Sequence, residues 1–247
     1  MKITTHFLKP NKYSRPQIPM RKIKAIVIHW VANPNSSAIS NRNYFNNLRF
    51  QPSTKQNPVY ASAHEIIGLD GEVILAIPEN EVAYHVGSKT YTNLAKSKLG
   101  SYPNNCTYGI ECTHIDLRGK MTNETYLSLV ERVAVIAVKH SLSAFEDILL
   151  HKEIVGWKDC HKYFVSYPDR WQNFKQDVHK KMQELQNDNI NIDGPDPWKV
   201  EALKSLHEAG LIKNFDLWVK RLDEKATVWL VFVLANNIYQ KLKKEMR

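Results

Sequence analysis

The sequence predicts an α/β domain followed by a small all-helical module. Three observations carry this reading. Short β-rich runs alternate with segments of helical period over the first three quarters of the chain. A stretch rich in Asn, Asp and Pro follows near residue 190, and beyond it the pattern is helical alone.

Taken in order, residues 23–29 (Ile-Lys-Ala-Ile-Val-Ile-His) are almost continuously apolar, as a buried strand requires. From Asn33 to Asn57 the chain is polar, but Tyr44, Phe45 and Leu48 fall at helical spacing and predict a short helix. Tyr60 to Ile67 and Glu72 to Ile77 read as two strands joined through Leu69-Asp70-Gly71, because Asp-Gly is a strong hairpin signal. Thr107 to Thr113 places Tyr108, Ile110 and Cys112 on one face and Gly109, Glu111 and Thr113 on the other. Thr122 caps a helix running to Leu142. Ile148-Leu149-Leu150 is a short strand delivering His151 at its C-terminal end. Pro168 opens a helix that carries Trp171, Phe174, Val178, Met182 and Leu185.

The α/β domain is therefore expected to cover residues 1–186, with a linker at 187–197 and a helical domain at 198–247. In the latter, Asp196 caps, Pro197 takes the first helical position, and Gly210 stops a helix bearing Val200, Leu203 and Leu206. A further helix is expected over Thr227 to Lys244, with Trp198, Trp218, Trp229 and Phe232 as core candidates.

Composition narrows the class. The 247 residues carry 34 Lys+Arg against 25 Asp+Glu, a net charge of +9 that favours polyanionic partners. Nucleic acid is not expected among them, since no recognition motif or aromatic-interleaved basic stripe is present. Three cysteines, Cys106, Cys112 and Cys160, have no framework spacing, so a disulfide-stapled fold is not expected. The N-terminus lacks an apolar run of signal-peptide length, and the longest apolar stretch, Ala226 to Leu234, is too short to span a membrane. The expectation is synthesis in the cytoplasm without membrane insertion.

The chemistry concentrates in His29, His151 and Cys160. Two imidazoles and a thiolate are the donor types of an open zinc site, three protein ligands with the fourth position left for water or substrate. Gly156 permits a turn that returns Cys160 towards His151.

Several motifs occur in a fixed order: Ile-Val-Ile-His29-Trp, Ser62-Ala63-His64, Ile77-Pro78-Glu79 running to His85-Val86-Gly87, Tyr108-Gly109-Ile110-Glu111-Cys112, and His151 to Cys160. This set resembles the zinc-dependent N-acetylmuramoyl-L-alanine amidases, which include phage endolysins and autolysins and are related in fold to peptidoglycan recognition proteins. The likeness covers about residues 20 to 175. It implies a central mixed β-sheet flanked by helices and one catalytic Zn²⁺ held by His29, His151 and Cys160. It further implies Glu111 as acid/base, Lys158 as the cation beside the developing oxyanion, and His85 as a substrate-contacting histidine. Two departures stand out. His161 follows the cysteine where the family usually has proline, and the loop before it is one residue longer, so Asp159 and His161 compete with Cys160 for the third ligand position. Ala63 stands where some members carry a catalytic tyrosine, which shifts the burden to Glu111.

The implied substrate is peptidoglycan, reached after release from a host cytoplasm, with anionic wall polymers as further partners. The implied reaction is hydrolysis of the amide between the lactyl group of N-acetylmuramic acid and L-alanine, as in an endolysin of a Gram-positive host. The rival reading is a peptidoglycan-binding protein without catalysis. The C-terminal module more weakly resembles helical modules appended to phage amidases, implying wall targeting or self-association as a homodimer.

Overall fold

The computed structural model describes residues 1–52, 54–190 and 197–214, together with residues 218, 236 and 238. The chain divides into two compact units, Met1–Leu185 and Gln186–Arg247. The first contains β1 (Ile3–Thr5), β2 (Ala25–Trp30), α1 (Ala38–Asn47), β3 (Glu65–Ile67), β4 (Val73–Leu75), α2 (Asn93–Leu99), β5 (Thr107–Cys112), α3 (Asn123–His140), β6 (Ile148–Leu150), α4 (His151–Val155) and α5 (Lys162–Ser166), and most of α6 (Pro168–Ile190). The second contains α7 (Pro197–Glu208).

The six strands form one mixed sheet in the order β1-β4-β3-β5-β2-β6. Only β3 and β4 pair antiparallel, and the other neighbours run parallel. Parallel pairing puts the C-terminal ends of β2, β5 and β6 at one edge, where open α/β sheets place their ligands.

Alternation sorts the side chains to two faces. Ile26, Ile28, Tyr108, Ile110, Ile148 and Leu150 pack with Leu129, Val133 and Ile136 of α3 and Phe174 and Val178 of α6. Each such fully buried aliphatic contributes roughly 1.5–3 kcal/mol. The opposite face is split. Ile66 and Ile74 lie under Phe45 of α1 in one cluster, and Val27 and Leu149 lie under Ala95, Leu99 and Ile154 in another. The catalytic candidates belong to this divided face.

The α3 face also buries one carboxylate. Glu65 is fully buried and accepts from Tyr108 Oη at 2.8 Å and Arg132 Nε at 3.0 Å. Helix α3 begins as the sequence predicts, with Thr122 Oγ1 accepting from Thr125 N at 3.0 Å.

The structure adds the short helices α2, α4 and α5, which the sequence reading does not include, and departs from it in three further places. Strand β1 was not anticipated, because its three residues are exposed and leave no periodic signal. The run Tyr60 to His64 is not strand. Ser62 N donates to Tyr84 O and His64 N to Gly109 O, so its backbone bonds go to separate segments, and pairing begins only at Glu65. Helix α6 continues to Ile190, past the point where a linker was expected. Asn and Asp are weak helix formers there, but propensity is only a weak prior.

In the second unit α7 starts at Pro197 and its end is closed by paired bonds, Gly210 N to His207 O and Leu211 N to Leu206 O. Leu203 and Ile212 are buried. The Asp196 cap, the side chains of Trp198 and Val200, Trp229, Phe232 and nearly all of the helix expected over Thr227 to Lys244 lie outside the described residues. Among the described residues no helix is long and apolar enough to cross a membrane.

Candidate active site

Each candidate reaches the site through its place in the sheet. His29 is the penultimate residue of β2 and pairs in register with Glu111 of β5. Both follow Val27 and Gly109 onto the divided face. His151 is the first residue after β6, at the start of the single-turn helix α4. That turn is fixed by Glu153, whose carboxylate accepts from Leu150 N at 2.7 Å. It ends at Gly156, whose φ of +83° is a left-handed conformation that an L side chain adopts only with strain. The loop then folds back, and Lys152 N donates to Cys160 O at 2.8 Å. Cys160 is thereby returned beside His151.

The donor atoms of His29, His151 and Cys160 lie within 4.8 Å of one another, and all three residues are buried. Cys160 Sγ is 3.6 Å from His29 Nδ1. The two competitors for the third position go elsewhere. Asp159 is exposed and pairs with Lys152 Nζ at 2.9 Å. His161 is fully buried against Phe164, with ring centroids 4.9 Å apart.

The trio opens on a cleft of about 400 Å³ that Glu111, Lys158 and His85 also line. Tyr60, Tyr84, Tyr102 and Trp30 complete its walls. Glu111 Oε2 is buried without a hydrogen-bond partner. Burial pushes this carboxyl up to about 8, against the pull of the nearby Lys158 ammonium. Lys158 is exposed in the Gly156–Asp159 loop, and its charge is felt at His29, His151 and Cys160 as well.

The residues present fit a zinc ion. Both nitrogens of His151 are buried without a partner, a loss of about 1–3 kcal/mol per orphaned group, and coordination through one of them would relieve that one. Burial drives His151 down to about 3 and His29 well below its usual range, which keeps both imidazoles in the neutral form that binds metal. Burial, with the Glu111 charge, pushes the Cys160 thiol up to about 12, so the metal-free protein holds a thiol. A divalent cation held by His29, His151 and Cys160 would supply the charge that favours the thiolate.

The ring nitrogens of His161 and Nε2 of His114 are also buried without a hydrogen-bond partner, but neither residue joins the donor group; His64 and the two remaining cysteines are engaged in the core. His64 Nδ1 accepts from Gly109 N at 3.0 Å, and its ring stacks on Tyr108 with centroids 4.3 Å apart. Ala63 is buried and supplies no hydroxyl. Cys106 and Cys112 are free, buried thiols. His85 is placed more specifically than sequence reasoning allowed: its Nδ1 lies 3.0 Å from His29 Nε2. The tyrosine walls were also missed, since Tyr60, Tyr84 and Tyr102 come from separate loops with no shared motif.

Fold and site together define an α/β domain that gathers a His-His-Cys donor group at the C-terminal edge of its sheet. The chain belongs to the N-acetylmuramoyl-L-alanine amidase family, whose type 2 amidase pattern matches residues 19–163. It is 32% identical over 181 residues to a probable N-acetylmuramoyl-L-alanine amidase of Bacillus licheniformis, covering 72% of this chain and 47% of that protein. It is 31% identical over 188 residues to the N-acetylmuramoyl-L-alanine amidase BlyA of Bacillus subtilis (strain 168), with the same coverage. The chain thus spans about half the length of the curated relatives it matches. In fold it is similar to PlyL, with a TM-score of 0.55 at 23% identity over 72% of this chain and 97% of that one.

Proposed function

We propose that the protein is a zinc-dependent N-acetylmuramoyl-L-alanine amidase that hydrolyses peptidoglycan between the lactyl group of N-acetylmuramic acid and L-alanine. The observation that carries this is the convergence of His29, His151 and Cys160 in one cleft with Glu111 and Lys158. When bound, zinc supplies Lewis acidity and lowers the pKa of water to about 7. Glu111 takes the proton from the attacking water and delivers it to the leaving alanine nitrogen, a role typically worth about 100–10,000-fold in rate. Its raised pKa suits it to hold that proton between the two events. The Lys158 ammonium lines the same cleft, and we assign it the stabilisation of negative charge developing on the carbonyl oxygen, a contribution of about 100–1,000-fold. The tyrosine walls offer flat apolar surface to the sugar and peptide.

The test is zinc content and wall hydrolysis of three proteins. The wild type is expected to carry zinc and clear walls, Cys160→Ser to lose the metal, and Glu111→Ala to keep it while losing most activity. A wild type without zinc, or a fully active Glu111→Ala protein, overturns the mechanism.

The curated relatives come from Bacillus, which supports a Gram-positive wall as target; we read the chain as an endolysin that reaches that wall after release from the host cytoplasm. We assign wall attachment to the C-terminal unit. Protein lacking residues 190–247 is then expected to cleave soluble muropeptide normally but to pellet less with whole walls. Unchanged pelleting counts against the assignment.

A further inference from the structure

We propose that His85 is a positioning residue: it fixes the tautomer of His29, so that Nδ1 is the one nitrogen this imidazole can present to a metal. The inference rests on the zinc reading for its consequence, but not for its geometry.

The direction of each hydrogen bond follows from the end of the chain, where a carbonyl can only accept. Thr107 Oγ1 lies 2.8 Å from Pro103 O, so the hydroxyl proton is spent there. His85 Nε2 lies 3.2 Å from Thr107 O and 3.1 Å from Thr107 Oγ1. Both oxygens can then only accept, so the His85 ring proton sits on Nε2. A neutral ring protonated at Nε2 has a bare Nδ1. That nitrogen is 3.0 Å from His29 Nε2 and accepts its proton. The lone pair of His29 is left on Nδ1, the atom facing Cys160 Sγ at 3.6 Å. With one proton on each ring, the series from Pro103 O to Cys160 Sγ has one consistent polarity.

The fold holds this arrangement from several sides. Asn104 Oδ1 accepts from the backbone N–H of both His85 and Val86, at 3.2 and 3.0 Å. Gly109 supplies the space, since a Cβ there would meet His85 Cγ and Nδ1 at 2.6 Å. Both ring nitrogens of His85 are used inside the protein, which leaves neither for a substrate. Metal-binding histidines commonly gain orientation and basicity from such a partner, and losing it typically costs about 10–100-fold in metal affinity. His151 has no counterpart, so the pre-organisation is concentrated on His29.

The experiment is long-range ¹H–¹⁵N correlation of the imidazoles in the full-length, metal-free protein labelled with ¹⁵N-histidine, followed by zinc titration. His29 and His85 are both expected as Nε2–H tautomers, and zinc is expected to shift His29 Nδ1 while its Nε2–H persists. His85→Leu is expected to weaken zinc binding by about 10–100-fold and to mix the His29 tautomers. His85→Asn, whose Oδ1 can accept near the place of Nδ1, is expected to restore affinity to within about threefold, a rescue that a mere packing role would not produce. An Nδ1–H tautomer for His29 in the wild type, or wild-type zinc affinity in His85→Leu, overturns the proposal. Because the tautomer is read without metal, a protein that bound no zinc would refute the amidase reading and leave this geometry separately decided.

Discussion

Glu65 and Glu111 sit on adjacent strands, one residue apart in register, and the fold treats these two carboxylates in opposite ways. Glu65 lies opposite Ile110, and Glu111 lies opposite Ile66, so they project to different faces of the sheet. Glu65 is held by Tyr108 and by both sides of the Arg132 guanidinium. Glu111 keeps a buried oxygen without a partner, and its carboxyl is pushed up to about 8. The same residue type is thus a satisfied structural anchor on one face and an unpartnered carboxyl lining the cleft on the other. Burial alone does not separate these roles; the presence or absence of partners does.

The largest effect expected from this contrast is catalytic. Glu111→Gln should keep zinc and lower wall hydrolysis by about 100–10,000-fold. Glu65→Gln, assayed per folded molecule, should stay within about threefold of wild type. Comparable losses in both would mean that the site depends on buried carboxylates generally and would dissolve the distinction.

The second effect is on stability and falls on the other face. Arg132→Met leaves Glu65 buried with its cation removed, and breaking such a pair typically costs about 3–5 kcal/mol. Urea unfolding should show that loss, while the triple change Glu65→Leu, Arg132→Met, Tyr108→Phe should recover most of it. A mild effect of Arg132→Met alone would show that water reaches Glu65.

The third concerns pH. In the metal-free protein burial raises Glu111 to about 8 from an ordinary 4.5. Between those values the unfolded chain has released this proton and the folded chain still holds it. The folded state then binds more protons, and its stability falls as pH rises. Glu111→Gln removes this contribution and leaves the titration of the histidines in place. Its advantage in unfolding free energy over wild type should therefore grow from about pH 4.5 to about 8 and level off above. Denaturation with chelator present at several pH values measures it, and a constant difference across that window counts against the assignment.

Much of this contrast is legible in the sequence. The alternation in Tyr108-Gly109-Ile110-Glu111-Cys112 separates the two faces of β5 without coordinates, and His29 and His151 announce themselves as polar residues ending apolar runs. Gly156 marks the turn that returns Cys160. Cys160 is preferred over its two neighbours through the family resemblance, since all three carry metal-binding groups and no local period separates them; the path of the loop brings Cys160, not Asp159 or His161, beside His29 and His151. The contact between His85 and His29 was hidden for a similar reason. It needs a loop, a turn and the missing side chain of Gly109 on a third segment, and no local period encodes such a meeting. Strand β1 escaped because exposed edge residues carry no burial pattern.

The smallest expected effect tests whether the two faces are energetically separate even between sequence neighbours. Ile28 is fully buried against the α3 side, while His29, the next residue, faces the cleft. Ile28→Val removes one methylene from a packed interior, which typically costs about 0.5–1.5 kcal/mol. Because the backbone of β2 is held by β5 and β6 on its two edges, the small cavity should be absorbed by α3 and α6 side chains rather than by movement of the strand. Urea denaturation should register the loss, while zinc affinity and wall hydrolysis stay at wild-type values. A coupled fall in zinc affinity would show that packing on the helix side sets the position of His29, and that the sheet transmits strain across its thickness instead of insulating the site from its core.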